Sequence, residues 1–333
     1  MSAAKVKNKP VRFGDYVLTG RLGEGGMCHV FRAYKGTPAR ECAIKMLREE
    51  RRHDEQIVDL FVTEADLSLL LRHPNLVETF EAGEVSGRHY IAMELIEGGN
   101  LREISAQCKR IGIQLPPDFA MYIVSEMLEG LQAVHGAVGH SGDWLGLVHR
   151  DVTPQNIFVS FDGRVILGDL GIAQINAYGE AEQGTAVGKL GYLSPEQVSG
   201  EPIDARSDLF SLSIVLFEIL TGEPLFDGLS EEEVLQSIAE ARVPKLRKVK
   251  PCLSRDLESF MQRALMRRPR DRFQSAGEML LALEPCWSTD LGSPRAIGGL
   301  LCGLFRDKAR EVRERREAAK PASARPKKAP ARH

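Results

Sequence analysis

Apolar and polar residues alternate along 15–35 and 41–47, the period of two that half-buried strands require, and the cluster Gly23 to Gly26 interrupts the first run as a tight turn. From 55 to 72 (EQIVDLFVTEADLSLLLR) the apolar positions change to helical spacing, and His73-Pro74 ends the run because proline disfavours a helical residue before it. The pattern therefore predicts three strands and then one helix. Two further strand candidates, 76–82 and 88–95, lead to Gly98-Gly99, where paired glycines give backbone freedom suited to a boundary between lobes. Beyond that point 101–135, 207–222, 231–240, 254–266 and 275–284 carry a mostly helical pattern.

The expected fold is α+β and bilobal, a small β-rich lobe with one main helix followed by a larger, mostly helical lobe. The expected limits are a basic arm at 1–12, the small lobe at 13–97, the large lobe at 98–287, and a C-terminal helix and tail at 288–333. Nothing repeats internally. Residues 297–319 read as an amphipathic helix, and the Pro/Ala/Lys-rich 320–333 as a segment with too few apolar residues to order itself.

Composition narrows the setting. The chain has 333 residues, 43% hydrophobic and 27% charged, which suits a globular protein and excludes overall disorder. Its formal charge of −2 divides into +4 over 1–12, +7 over 306–333 and therefore −13 over 13–305, an acidic body with basic ends. Such ends suit an acidic partner or a membrane surface, or are simply solvated arms. The six cysteines are scattered without a CxxC pair or zinc spacing, as in a reducing cytoplasm. No run reaches the roughly 18 apolar residues of a membrane span, so the expected location is cytoplasmic.

The chemistry lies in three segments. Gly23-Glu24-Gly25-Gly26-Met27-Cys28-His29-Val30 stands between two predicted strands, where glycines let backbone N–H groups approach phosphate oxygens. On the next strand, Lys45 of Cys42-Ala43-Ile44-Lys45 sits among apolar neighbours, a costly place for an ammonium without an anion, and Glu64 on the following helix is a candidate partner. The decisive segment is Val148-His149-Arg150-Asp151-Val152-Thr153-Pro154-Gln155-Asn156, with Gly168-Asp169-Leu170-Gly171 after it. Phosphoryl transfer needs a carboxylate to orient the attacking hydroxyl, the role that suits Asp151, and hard oxygen ligands for Mg²⁺, the role that suits Asn156 and Asp169.

In this order and spacing the motifs resemble the bacterial eukaryotic-like (Hanks-type) Ser/Thr protein kinases, from about Phe13 to about Pro285. The resemblance implies ATP and Mg²⁺ as cofactors and protein hydroxyls as substrates. It assigns Leu22, Gly23, Gly25, Gly26 and Val30 to the nucleotide-covering loop, Ala43 and Lys45 to the ATP-binding strand, and Glu64 to the helix that braces it. It makes Met93 the gatekeeper, Glu94 to Ile96 the hinge, and Phe158 the floor of an adenine slot roofed by Val30 and Ala43. In the larger lobe it makes Glu196 of Ser194-Pro195-Glu196 the partner of Arg272, and Asp208 the brace of the catalytic loop. The same set argues against small-molecule kinases of related fold, which usually lack it.

Departures from the family pattern carry their own expectations. Cys28 replaces a loop glycine; a buried, inert thiol is the expectation there, and an oxidation-sensitive thiolate, in a loop rich in N–H donors, is the alternative. Leu170 stands where the family has phenylalanine. Thr153 replaces the lysine two residues after the catalytic Asp, while Lys189 stands where an activation-segment threonine is expected, so Lys189 could supply the missing cation at Asp151. Thr185 is the expected regulatory phosphosite and Arg150 its partner. The insertion Gly136 to Leu147, with His140 and Trp144, reads as an anchored loop. A pseudokinase, a nucleotide-sensing or docking module, is the alternative, favoured by Thr153.

Overall fold

The computed structural model describes residues 9–36, 40–171, 190–228, 230–286 and 293–319. Its first lobe is an antiparallel sheet in the order β1-β2-β3-β4-β6-β5, formed by Val11–Phe13, Tyr16–Glu24, Cys28–Lys35, Arg40–Leu47, Thr79–Val85 and Arg88–Met93 for β1 to β6 respectively. Period-two alternation works here because one face packs inward, with Ala33, Cys42, Ile44, Met46 and Ala92 buried against Phe13, Tyr16 and Tyr90. Helix α1, Glu55–Leu70, starts where the Asp54 side chain accepts from the Ile57 N–H, and it buries Phe61, Glu64 and Ala65 on the sheet. Four strands precede it rather than three, because the short β1 was too brief to show a period.

The second lobe starts with a small ribbon in the order β7-β8-β9, Gly98–Asn100, Ile157–Ser160 and Val165–Leu167. Gly98-Gly99 is therefore not a loose boundary. Both glycines are buried in β7, and a Cβ on Gly98 would stand 1.9 Å from the Val159 carbonyl oxygen, so close backbone approach is what glycine provides there.

The run 101–135 divides into α2, Leu101–Ile111, and α3, Pro117–His135. Gly112 at φ 70° closes α2 with a left-handed cap, and Pro117 opens α3. After α4, Pro195–Ser199, comes α5, Ala205–Thr221, whose residues from Ser207 onward are all buried, which makes it the axis of the lobe. Helices α6 (Glu231–Ala239), α7 (Leu246–Val249), α8 (Arg255–Ala264) and α9 (Ala276–Leu283) surround it. The single amphipathic helix expected at 297–319 is two, α10 (Pro294–Leu304) and α11 (Arg306–Ala319), with the turn at Phe305. Among the described residues no helix is long and apolar enough to cross a membrane.

Candidate active site

Strand β4 and helix α1 bring the first pair together. Lys45 is 9% exposed and its Nζ lies 2.5 Å from the Glu64 carboxylate and 3.0 Å from that of Asp169, which reaches it from just beyond β9. Burial alone would pull the Lys45 ammonium down, but the Asp169 and Glu64 carboxylates outweigh it and its pKa is raised, so the lysine stays charged. Val30 pairs with Lys45, and Ala43 with Met93, across neighbouring strands. Cβ atoms built on Gly23 or Gly26 would meet nothing within 4 Å, so the β2–β3 turn leaves open space beside it. Leu22 is half exposed on that flap. Phe158 stands on β8 against Gly168, the residue before Asp169.

Helix α5 positions the second group. Asp208 lies in its first turn, where the helix dipole favours a carboxylate. It accepts from the His149 N–H at 2.7 Å, the Arg150 N–H at 2.8 Å and His135 Nε2 at 2.8 Å. This grip holds Arg150 at φ 69°, a left-handed conformation that a non-glycine residue adopts only when its surroundings impose it. Burial lowers the His149 pKa and keeps the ring neutral. A neutral ring with its proton on Nε2 donates to the Gly168 carbonyl at 3.1 Å, while Nδ1 accepts from the Asp151 N–H at 3.3 Å. One imidazole thus ties the catalytic-loop segment to the Asp169 segment.

Asn156 donates to the Asp151 carboxylate at 2.7 Å and to its carbonyl at 3.0 Å. That leaves the amide oxygen of Asn156 to face a cation, beside an Asp169 side chain that is 45% exposed. Among the described residues no cluster of three or more His, Cys, Asp or Glu forms a metal cage. Mg²⁺ does not ask for one, since one or two protein oxygens with water and phosphate suffice. The oxygens of Asp169 and Asn156 would be the protein's contribution to such a cation, with Lys45 held between Glu64 and Asp169 beside them.

Thr153 is 3% exposed and its hydroxyl has no hydrogen-bond partner among the described residues. Lys189 and Thr185 lie outside the described residues. No described acid pairs with the Arg150 guanidinium. The Glu94 carboxylate at the start of the hinge segment meets Arg164 at 2.8 Å, and Ile96 is partly buried. Cys28 is 6% exposed and burial pushes its thiol up to about 12, which agrees with a buried, inert thiol and not with a reactive thiolate. Trp144 of the insertion is 73% exposed; a hydrogen bond from its indole N–H to the His135 carbonyl at 2.8 Å, not burial, fixes it.

Several contributors escaped the sequence reading. His135, Ser207, which donates to Glu196 at 2.6 Å, and Tyr192, whose hydroxyl bonds the buried Glu218, are polar residues within helical or loop patterns. Their only sequence signal is a polar residue at an apolar phase of a helix, which His135 and Glu218 both show.

A buried lysine held by two acids, an Asp–Asn pair, and a loop braced from a central helix define the class: a bilobal protein kinase domain. The chain belongs to that family, whose model, described as protein kinase domain, matches residues 16–282. It is 31% identical over 299 residues to the tyrosine-protein kinase MasK of Myxococcus xanthus, covering 88% of this chain and 46% of that protein. It is 36% identical over 275 residues to the probable serine/threonine-protein kinase PknB of Corynebacterium glutamicum, covering 79% and 41%. The crystal structure of the Mycobacterium tuberculosis PknI kinase domain superposes with a TM-score of 0.63 at 27% identity, over 84% of this chain and 98% of that one. The chain spans less than half the length of these two curated relatives.

Proposed function

We propose that this chain is an ATP- and Mg²⁺-dependent protein kinase that moves the γ-phosphate to serine or threonine hydroxyls of proteins in bacterial signalling, itself included. The observation that carries the reading is Lys45 held between Glu64 and Asp169 beside the bonded pair Asp151 and Asn156. In it, the Lys45 ammonium and the N–H groups of the Gly23–Gly26 turn seat the phosphates, and Leu22, Val30, Ala43, Met93, Phe158 and the hinge Glu94 to Ile96 enclose the base. Asp151 orients the substrate hydroxyl and takes its proton. Asn156 and Asp169 hold Mg²⁺, which supplies charge neutralisation at the phosphates when bound. Catalysis is then positioning and electrostatic stabilisation by groups fixed in advance. Asp208 acts through the loop backbone, and the Glu196–Arg272 pair is structural.

Thr153 favours a second reading, a nucleotide-sensing pseudokinase, because it leaves the catalytic loop without its usual cation. We place Lys189 in that role, and Thr185 as a phosphosite read by Arg150. The relative named as a tyrosine kinase makes tyrosine a further acceptor to test. The cytoplasm is the proposed location, with the basic 320–333 contacting an acidic protein or membrane surface. Incubation with labelled ATP and a generic acceptor, beside Asp151→Asn, tests the reading: acid-stable phosphoserine or phosphothreonine lost in the variant supports it. Phosphotyrosine moves the chain to the other acceptor class, and no transfer at all supports the pseudokinase.

A further inference from the structure

Helices α10 and α11 lie beyond the residues that the family model matches, and they are built into the fold. Ile297, Leu301 and Leu304 are buried, and a Cβ on Gly298 would stand 2.6 Å from the Phe161 carbonyl oxygen, so α10 rests directly on the end of β8. Gly163, at φ +88°, makes room for the Pro294 carbonyl, which would lie 1.8 Å from a Cβ there. Gln107 of α2 donates to the Leu304 carbonyl at 2.9 Å, where the chain turns into α11. Helix α11 is then fixed to the second lobe at its start, and among its described side chains Ala309 and Val312 are the buried apolar ones.

The far end of α11 returns to the hinge. Arg315 donates to the Glu97 carboxylate, and Arg316 Nε does so at 3.0 Å. Glu97 directly follows Ile96, and its side chain is only 5% exposed. From the other lobe, Arg32 of β3 comes within 3.6 Å of the same carboxylate while pairing with Glu41 of β4 at 3.1 Å. One buried carboxylate is therefore shared by the first lobe's sheet, the hinge and the C-terminal helix. Packing alone does not require this: α10 already covers the apolar surface, whereas the α11 contacts at the hinge are ionic.

We propose that α11 and Glu97 form a clasp across the hinge, with Glu97, Arg315 and Arg316 as positioning residues that set nucleotide affinity through Arg32 and β3. Strand β3 carries Val30 and pairs with β2 to make the glycine turn, so the carboxylate that holds Arg32 also holds that flap's angle to the second lobe. Swinging the sheet away breaks Arg32–Glu97 and lets water reach the carboxylate, which weakens its pairs with Arg315 and Arg316 as well. A nucleotide between the lobes and the closed clasp favour the same arrangement, and such coupling is reciprocal. The proposal rests on the kinase reading for its ligand.

Calorimetry with Mg-ATP on the full chain tests it, comparing wild type with Arg315→Ala/Arg316→Ala, with Arg315→Lys/Arg316→Lys, and with Lys308→Ala, whose 3.7 Å pair with Glu103 lies away from the hinge. The double alanine variant should bind about fivefold or more weakly, with turnover at saturating ATP little changed, the lysine variant should recover part of the loss, and Lys308→Ala should bind as wild type does. Amide hydrogen exchange in 306–319 should slow when nucleotide is added. A double alanine variant that binds nucleotide normally, or exchange in α11 indifferent to nucleotide, overturns the clasp while leaving the kinase reading intact. Wild type that binds no nucleotide overturns the kinase reading, and the clasp with it.

Discussion

Arg272 holds both oxygens of Glu196 from 76 residues further along the chain, with Nη1 and Nη2 each at 2.8 Å from a different oxygen. Neither side chain is more than 2% exposed. Arg272 also donates to the carbonyls of Met266, Arg267 and Arg206, and its guanidinium lies 4.5 Å from the centre of the Phe210 ring. Burial by itself would raise the Glu196 carboxyl, but the Arg272 and Ser207 hydrogen bonds and the Arg272 charge outweigh it and hold its pKa below the ordinary range.

Breaking this pair strands a carboxylate in the core. Arg272→Ala should lower stability by about 3–5 kcal/mol, read from urea denaturation. Arg272→Lys should recover little of it, since an ammonium cannot reproduce the two-pronged geometry. A loss under about 1 kcal/mol would show the pair to be replaceable by water. Because the folded pKa of Glu196 is depressed, its contribution is present above the unfolded value of 4.5 and is lost as pH falls through the folded value.

His149 gives a second pH signature. Its folded pKa lies below the ordinary 6.5 because the ring is buried, so below about that pH the unfolded chain binds the proton that the folded chain refuses. Stability from this group is complete above 6.5 and declines as pH falls toward the folded value. Urea midpoints measured from pH 7.5 down to about 5.5 should therefore decline more steeply in wild type than in His149→Phe, which has no such proton to refuse. Equal slopes would mean that the ring titrates normally.

Two glycines make a matched pair of tests. Gly98→Ala should destabilise by about 1–3 kcal/mol, since the new Cβ would overlap the Val159 carbonyl and force β7 away from β8. Gly20→Ala has nothing within 4 Å and should change stability by no more than about 0.5 kcal/mol. Thermal melts that do not separate the two would argue that β7 shifts freely.

The catalytic loop carries the sharpest chemical test. If Lys189 supplies the cation that Thr153 does not, Lys189→Ala should slow single-turnover phosphoryl transfer about a hundredfold, or about 3 kcal/mol. Thr153→Ala should cost less. Thr153→Lys with Lys189→Thr should recover much of what either exchange loses alone, because contacting residues couple in a mutant cycle. Undiminished transfer by Lys189→Ala would refute the exchange.

The sequence alone determined the two-lobed fold and pointed to the candidate site residues. Strand alternation and helical spacing are local, and Lys45, Asp151, Asn156 and Asp169 stand at spacings that few other chemistries need. It misjudged elements whose cause is not local. Gly98-Gly99 read as a flexible joint because sequence shows conformational freedom and not the neighbouring Val159 backbone that forbids a side chain. At Cys28 the loop's donors are visible in sequence, whereas the burial that raises the thiol's pKa and favours the inert reading is not. The run 297–319 read as one helix because the turn at Phe305 follows from docking on α2 and β8, which no local signal records. Only the tertiary structure decided that Arg315 and Arg316, two charges among many in a basic segment, would meet Glu97 more than two hundred residues away. Local pattern follows from the geometry of adjacent residues; which distant charges share one desolvated carboxylate follows from how whole elements pack.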